Sequence, residues 1–319
     1  MFDLVATQSI PGMIEPVEQQ MLYRLANELR LHENDQIVEF GTFFGRSTFC
    51  LAEGLAANPA RGNTNFLHAF DSFSCSRNGG FGKYVQAFAR HGQVEHLLKL
   101  DGSGIDFFPV FERYLKSSIS SGVVKPVRAE LKDSRPASIP AIALMHVDSP
   151  KFFEELKVVI FRFFPQMREG SLVVFQDYFY HWSATLIAAV EAMRQMGWLE
   201  YKITAASSLV TQIQRPIQAT EIYELDIQMA DPIKIEKLIR DAIETCKHRS
   251  IDRASVFLPR LWLAAYQHLW ARGKTNEATD LMAEFFKEGG KLLQPVLDDY
   301  LEMMRLGFSI RLLYEADHS

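Results

Sequence analysis

Apolar and polar positions along the chain change their spacing in a repeated order, which predicts strands and helices in turn. The apolar run at 37–40 ends at Gly41 and precedes a helical pattern over 47–55, so it predicts a strand, a tight turn and a helix. Comparable apolar runs predict six further strands, at 66–70, 123–127, 142–147, 172–175, 201–204 and 209–213. Helical patterns separate most of them, which favours an α/β fold with a Rossmann-like, doubly wound and mostly parallel sheet. The last two runs have no helical pattern between them and predict an antiparallel hairpin at one edge.

From about Asp231 onward the spacing of apolar residues is helical only. It predicts four helices, which begin near Pro232, Leu258, Thr275 and Pro295. We therefore divide the chain into a Rossmann-like domain at 1–228 and a helical subdomain at 229–319. The segment 262–286 resembles one tetratricopeptide-type hairpin, a unit that normally needs stacked neighbours. Because exposed apolar stripes are costly in water, we expect these helices to pack on the first domain or to form a homo-oligomer contact.

Composition and charge narrow the classes of partner and the location. The formal net charge is −5, and the sequence contains no block of five or six like charges, so we expect no nucleic-acid partner. No apolar run approaches the length of about 18 residues that a membrane helix needs. The first residues do not have the pattern of a signal peptide, and we expect a cytoplasmic protein. The three cysteines form no CxxC pair, which indicates neither a zinc site nor a disulfide framework.

Polar side chains stand where four of the predicted parallel strands end. In a doubly wound sheet, ligands bind beyond the carboxyl ends of the strands, so these side chains are candidates for one ligand site. They belong to the first, second, fourth and fifth strands and are Glu39, Asp71, Asp148 and the pair Gln176-Asp177.

The turn after the first strand has glycines at Gly41 and Gly45, with Ser47 at the opening of the helix. Glycine allows close approach of a ligand to the backbone, and a helix N-terminus offers free N–H donors to an anionic group. The spacing is GxxxG rather than the GxGxxG of dinucleotide sites, which favours an amino-acid carboxylate over a pyrophosphate. Asp71 ends the second strand, where its carboxylate can accept two ribose hydroxyls. The alternative is a glycine turn that serves packing only, with Asp71 as a helix cap.

Three segments together resemble the macrocin-type sugar O-methyltransferase family over roughly 11–196. They are IPGMIEPVEQQMLYRLANELRLHENDQIVEFGTFFGRST, HAFDSF and ALMHVDSPKFFEELKVVIFRFFPQMREGSLVVFQDYFYHW. The resemblance implies an enzyme that uses S-adenosyl-L-methionine to methylate a hydroxyl of a small, sugar-like acceptor. It also implies contacts to the methionine end of that cofactor from Glu39, Gly41 and Ser47. Asp71 and Ser72 would hold the ribose.

The same resemblance implies a divalent metal near the acceptor hydroxyl. The family uses an aspartate after the fourth strand and an Asp-Asp pair after the fifth, and Asp148 and Asp177 match two of these positions. The third position is Gln176, whose carbonyl can bind Mg²⁺ but adds no negative charge. Two mechanisms therefore stay open: Mg²⁺ held by Asp148, Gln176 and Asp177, or proton removal by a side chain such as His181.

Two further functions are compatible with the sequence. One is a nucleoside-binding protein that has lost its chemistry, which Gln176 and Pro150 allow. The other is a nucleotide-dependent oxidoreductase, against which the missing GxGxxG counts. Between the second and third strands, the glycines of SFSCSRNGGFGKYVQAF indicate either a lid over the cleft or a flexible connector. His146, inside the fourth strand, is expected to be a hydrogen-bonded core histidine.

Overall fold

The centre of the protein is a seven-stranded sheet. The computed structural model describes residues 3–136, 139–180, 182–248 and 254–291. The strands of the large sheet are β1 Asp35–Phe40, β2 Leu67–Asp71, β6 Val124–Arg128, β7 Ala141–Val147, β8 Met167–Phe175, β9 Leu199–Ala205 and β10 Ser208–Ile213. Their order is β6-β2-β1-β7-β8-β10-β9. The first five in this order pair in parallel, and β10 is antiparallel to both β8 and β9. This confirms the Rossmann-like, mostly parallel sheet and the antiparallel hairpin.

Helices cover both faces of the sheet, as the alternation of elements predicts. They are α1 Leu4–Gln8, α2 Pro16–Glu28, α3 Arg46–Ala57, α4 Gly80–His91, α5 Phe108–Ser120, α6 Phe153–Phe163, α7 Ala184–Gln195, α8 Ala219–Met229, α9 Pro232–His248, α10 Ala254–Ala271 and α11 Thr275–Lys287. Neighbouring residues of a strand point to opposite faces. Accordingly Val38 packs in one apolar cluster with α6 and α7, whereas Ile37 packs in a second cluster with α2 and α3.

The register of the parallel strands brings their carboxyl ends to one edge. Phe40 at the end of β1 lies opposite Phe70 of β2 and Val147 of β7, and Val147 lies opposite Phe175 of β8. Backbone hydrogen bonds continue this ladder by one step, because Asp148 N–H donates to the carbonyl of Phe40. The residues that follow these strands therefore share one edge of the sheet.

The segment between β2 and β6 is folded into regular elements, and its role as a lid over the cleft stays a prediction. It contains α4 and a small antiparallel sheet of β3 Ser74–Ser76, β4 Lys99–Asp101 and β5 Gly104–Asp106. Its glycines include Gly82, where an added Cβ would lie 2.1 Å from the carbonyl oxygen of Ser76. Close packing thus requires a glycine at this position. Strands of three residues are too short to show a period in the sequence.

The C-terminal helices pack on the α/β core. Helix α9 lies against α7, and apolar residues of α7, α9 and α10 belong to one continuous cluster. This is the first of the two arrangements expected from their apolar stripes. Helix α8, which the spacing did not predict, spans the proposed boundary at residue 228. The fourth predicted helix, near 295–307, lies outside the described residues. Within the part of the chain that the structure describes, no helix is long and apolar enough to span a membrane.

Two isoleucines of α9 test whether these helices belong to the same folding unit. Ile239 is fully buried, whereas Ile233 is 74% exposed. We expect Ile239→Ala to lower the free energy of unfolding by about 2–5 kcal/mol. The matched Ile233→Ala should change it by less than about 0.5 kcal/mol. Urea unfolding should show one transition for both variants, and two separate transitions would mean that the helices fold independently.

Candidate functional site

A cavity of about 680 Å³ lies beyond the carboxyl ends of β1, β2, β7 and β8. Its lining includes most of the residues predicted from the strand ends, namely Gly41, Asp71, Ser72, Asp148, Gln176 and Asp177. The parallel register explains this convergence, because it places the residues after these strands at one edge. Neither Glu39 nor Ser47 is among the described residues that line the cavity.

The glycine turn forms one wall of this cavity. Gly41 has φ +84°, and a Cβ on it would lie 2.6 Å from the backbone nitrogen of Ser149. Two loops therefore approach so closely that only glycine fits between them. Gly45 has φ +94°, and a Cβ there would lie 2.3 Å from Leu115. Gly41 thus shapes the cavity, whereas Gly45 allows α5 to pack against the turn.

The carboxylate of Asp71 holds the glycine turn in place. Oδ2 accepts hydrogen bonds from the N–H groups of Thr42 (2.9 Å) and Phe43 (3.0 Å), and Oδ1 accepts one from Phe73 (2.7 Å). Burial raises the pKa of Asp71, and these backbone hydrogen bonds oppose the rise. An ionised carboxylate has about four acceptor sites, so Oδ1 keeps capacity for a hydroxyl of a ligand. The neighbouring Ser72 Oγ donates to the carbonyl of Ser74 (3.0 Å).

Glu39 lies beneath the cavity floor and is completely buried. Its Oε2 accepts a hydrogen bond from Thr48 Oγ (2.6 Å), and its Oε1 lies 3.1 Å from His146 Nδ1. His146 Nε2 lies 3.4 Å from Gln176 Oε1, so both ring nitrogens face acceptors. Burial lowers the pKa of His146, but the hydrogen bond and the charge of Glu39 raise it, and the net direction is upward. His146 is the hydrogen-bonded core histidine that the sequence suggested.

Gln176 is held by a second buried carboxylate, Glu18 of α2. Glu18 Oε1 accepts hydrogen bonds from Gln176 Nε2 (2.9 Å) and Ser207 Oγ (3.0 Å), and it lies 2.8 Å from Ser208 Oγ, whose single proton is donated to Gln176 Oε1. Burial raises the pKa of Glu18. Sequence reasoning missed these residues because Glu18 has the spacing of a helix-capping glutamate, Ser207 stands in a turn and Ser208 begins β10. Only tertiary packing brings them to the cavity.

Lys151 lies between the two carboxylates at the ends of β7 and β8. Its Nζ donates to Asp148 Oδ1 (2.9 Å), to the Asp148 carbonyl (2.5 Å) and to Asp177 Oδ2. Burial lowers the pKa of Lys151, but the charges of Asp148 and Asp177 outweigh this and raise it. Its position three residues after Asp148 was the only sequence signal for this contact.

The predicted metal ligands do not present three free oxygens to one point. The ammonium of Lys151 occupies the space between Asp148 and Asp177, and Gln176 Oε1 already accepts a hydrogen bond from Ser208 Oγ (2.7 Å). Among the described residues, no group of three or more His, Cys, Asp and Glu side chains is arranged to hold a metal ion. The residues present therefore do not fit an Mg²⁺ ion as they are arranged.

Aromatic side chains and both terminal parts of the chain complete the cavity. Tyr180 and Trp182 stack at 4.6 Å, and the guanidinium of Arg260 from α10 lies 5.4 Å from the Tyr180 ring. Residues 13–15 also line the cavity, and Arg46 Nε fixes the N-terminal segment by donating to the carbonyl of Ile10 (2.6 Å). The candidate base His181 lies outside the described residues.

Comparison with known proteins finds a family that matches part of the chain and several similar solved structures. Residues 38–178 match a family described as a methyltransferase domain, and none of the curated proteins matches the chain. The solved O-methyltransferase NovP is 18% identical, with 64% of this chain and 83% of NovP covered and a TM-score of 0.47. CalS11, a TDP-rhamnose 3'-O-methyltransferase of calicheamicin biosynthesis, is 20% identical, with 61% and 76% covered and a TM-score of 0.39. The S-adenosylhomocysteine-bound methyltransferase PaMTH1 of Podospora anserina is 10% identical, with 64% and 80% covered and a TM-score of 0.39.

The matched segment begins within β1 and ends just beyond β8. It therefore includes the strand ends that carry Asp71, Asp148 and Asp177. Most of the candidate site lies in a part of the chain that is similar to methyltransferase domains.

The Glu39–His146 pair predicts a pH dependence of stability. Against the lowering effect of burial, Glu39 holds the pKa of His146 above its ordinary value of 6.5. The stability that the charged histidine contributes is present below that value and is lost as the pH rises through the raised pKa. We expect the difference in unfolding free energy between wild type and His146→Gln to be larger at about pH 6 than at about pH 9. The control Ile233→Ala, at an exposed position of α9, changes no titratable group and should show equal differences at both pH values. A pH-independent effect of His146→Gln would contradict a charged His146.

Proposed function

We propose that the protein is an S-adenosyl-L-methionine-dependent methyltransferase that methylates a hydroxyl of a small, sugar-like molecule, as its resemblance to the macrocin-type family implies. One observation carries this proposal. The cavity brings the glycine turn with Asp71 and Ser72 together with the carboxylates of Asp148 and Asp177 at one sheet edge. The match of residues 38–178 to a methyltransferase domain supports it.

The glycine-turn side of the cavity suits the cofactor. Gly41 lines the cavity, and because a side chain there would clash with Ser149, only glycine lets the turn keep this position beside the ligand space. Asp71 and Ser72 offer oxygens to ribose hydroxyls. When bound here, S-adenosyl-L-methionine supplies a methyl group that is already activated.

The opposite side of the cavity suits the acceptor. Tyr180 and Trp182 offer aromatic surfaces against which an apolar face of the acceptor packs. Asp148 and Asp177 are carboxylates at hydrogen-bonding range of anything bound there, and they orient a hydroxyl and receive its proton. His181 stays a candidate for the same task. The protein's contribution is thus alignment of the oxygen and removal of its proton.

Ligand binding separates this proposal from its two alternatives. S-adenosylhomocysteine should raise the melting temperature of the wild-type protein, and NAD should not. Stabilisation by NAD alone would favour the oxidoreductase. Stabilisation by S-adenosylhomocysteine, without methyl transfer to any of a panel of hydroxylated small molecules, would favour a binding protein. If neither ligand raises the melting temperature, the proposed function and both alternatives are contradicted.

Asp71 provides the corresponding mutational test. Asp71→Asn keeps the shape and one acceptor oxygen but removes the charge, so we expect S-adenosylhomocysteine to bind more weakly by about 1.5–3 kcal/mol in calorimetry. Asp101→Asn, at an exposed position of β4, is the matched control and should bind normally. The melting temperature of the free variant reports separately on the loss of turn anchoring. Unchanged affinity would remove Asp71 from the ribose contact.

A further inference from the structure

Two carboxylates meet at the mouth of the cavity. Asp148 follows β7 and Asp177 lies two residues after β8, and these strands are neighbours in the sheet. Their side chains are 27% and 15% exposed, so water screens them only in part. Two such groups cannot both stay ionised at short range without a cation between them or a proton on one of them.

The cation that the chain itself supplies is the ammonium of Lys151. An ammonium has three N–H donors, and Lys151 Nζ has three acceptors, of which two are carboxylate oxygens and one is the Asp148 carbonyl. The backbone of Lys151 is fixed as well, because its N–H donates to Glu155 Oε2 at 2.8 Å. All donors of the ammonium are therefore used in joining the two strand ends.

The neighbouring Gln176 is arranged for a hydrogen-bond network rather than for a metal. Its Oε1 accepts from Ser208 Oγ at 2.7 Å, and its Nε2 donates to Glu18 Oε1 at 2.9 Å. The single ammonium already leaves one net negative charge on Asp148 and Asp177, and a third carboxylate at this position would leave two. A neutral glutamine at position 176 therefore suits a site that is held by the single positive charge of Lys151.

We propose that Lys151 takes the place of a divalent metal ion in this site, so that Asp148 and Asp177 are held together, and one of their two negative charges is cancelled, without one. Lys151 is then a positioning residue that fixes the two carboxylates at the acceptor side of the cavity. Its consequence for catalysis, methyl transfer that needs no metal, rests on the proposed function. The position of the Lys151 ammonium between the two carboxylates does not rest on the proposed function.

Binding of Mn²⁺, followed by electron paramagnetic resonance of the free ion, tests the proposal directly. The wild-type protein should bind no Mn²⁺ at this site. Lys151→Met removes the charge at similar length, and we expect it to bind one Mn²⁺ with an affinity at least about tenfold above that of wild type. Lys157→Met is the matched control, because Lys157 is also 30% exposed and pairs with a carboxylate, Asp226. It should bind Mn²⁺ no better than wild type.

Melting temperatures give a second readout that needs neither cofactor nor acceptor. Mg²⁺ should raise the melting temperature of Lys151→Met and leave wild type and Lys157→Met unchanged. One Mn²⁺ bound by the wild-type protein and lost in Asp148→Asn would overturn the proposal. A folded Lys151→Met that neither binds Mn²⁺ nor responds to Mg²⁺ would overturn it too. If Lys151→Met does not fold, the comparison of Mn²⁺ binding by wild type and by Asp148→Asn decides whether the proposal stands.

These outcomes are distinguishable from failure of the proposed function. The metal experiments contain no S-adenosylhomocysteine, so they report on the ammonium even if that ligand does not bind. Conversely, binding of S-adenosylhomocysteine with or without a chelator tests the cofactor site alone. If methyl transfer is found, wild type should keep its activity in the chelator, and a loss of activity restored by Mg²⁺ would contradict metal-free catalysis.

Discussion

The site depends on one constraint, the close approach of several carboxylates at one sheet edge where water screens them incompletely. Five such groups lie there, namely Glu18, Glu39, Asp71, Asp148 and Asp177. Moving each carboxylate out of water costs roughly several kcal/mol unless hydrogen bonds or an opposite charge compensate. Parallel register brings four of these carboxylates together, because it carries the end of every central strand to the same place, and helix α2 adds Glu18. The fold can keep such a site only if each carboxylate has its own compensation.

Different groups stabilise the carboxylates on the two sides of the cavity, so the site has two electrostatic regions. Backbone N–H groups surround Asp71, so its negative charge is stabilised but not cancelled. At the other side an ammonium cancels one of the two charges of Asp148 and Asp177. A ligand with a positive centre is favoured near Asp71, and a neutral hydroxyl is tolerated near the lysine. This division agrees with a sulfonium cofactor on the first side and an uncharged acceptor on the second.

The sequence predicted what depends on local pattern and missed what depends on packing between distant segments. Apolar runs located all seven strands of the large sheet, and the strand ends located Asp71, Asp148 and Asp177 at one cavity. Glu18 stands more than 150 positions from Gln176, and nothing local distinguishes it from an ordinary capping residue. Lys151 resembles a solvent-exposed lysine before a helix until the fold brings Asp177 beside it. The small sheet escaped notice because three residues are too few to show a period of two.

Segments near both ends of the described part of the chain supply walls of the cavity. Residues 13–15 line it, and Arg260 comes from a helix near the other end of the described chain. A molecule bound there contacts segments separated by more than two hundred positions, and its binding free energy is lost whenever either segment opens. Occupancy of the cavity is therefore linked to protection of both segments from local unfolding and from proteases. A bound ligand would therefore hold both segments in their folded positions. Slower proteolysis of the N-terminal segment in the presence of a compound would show that the compound binds in the cavity.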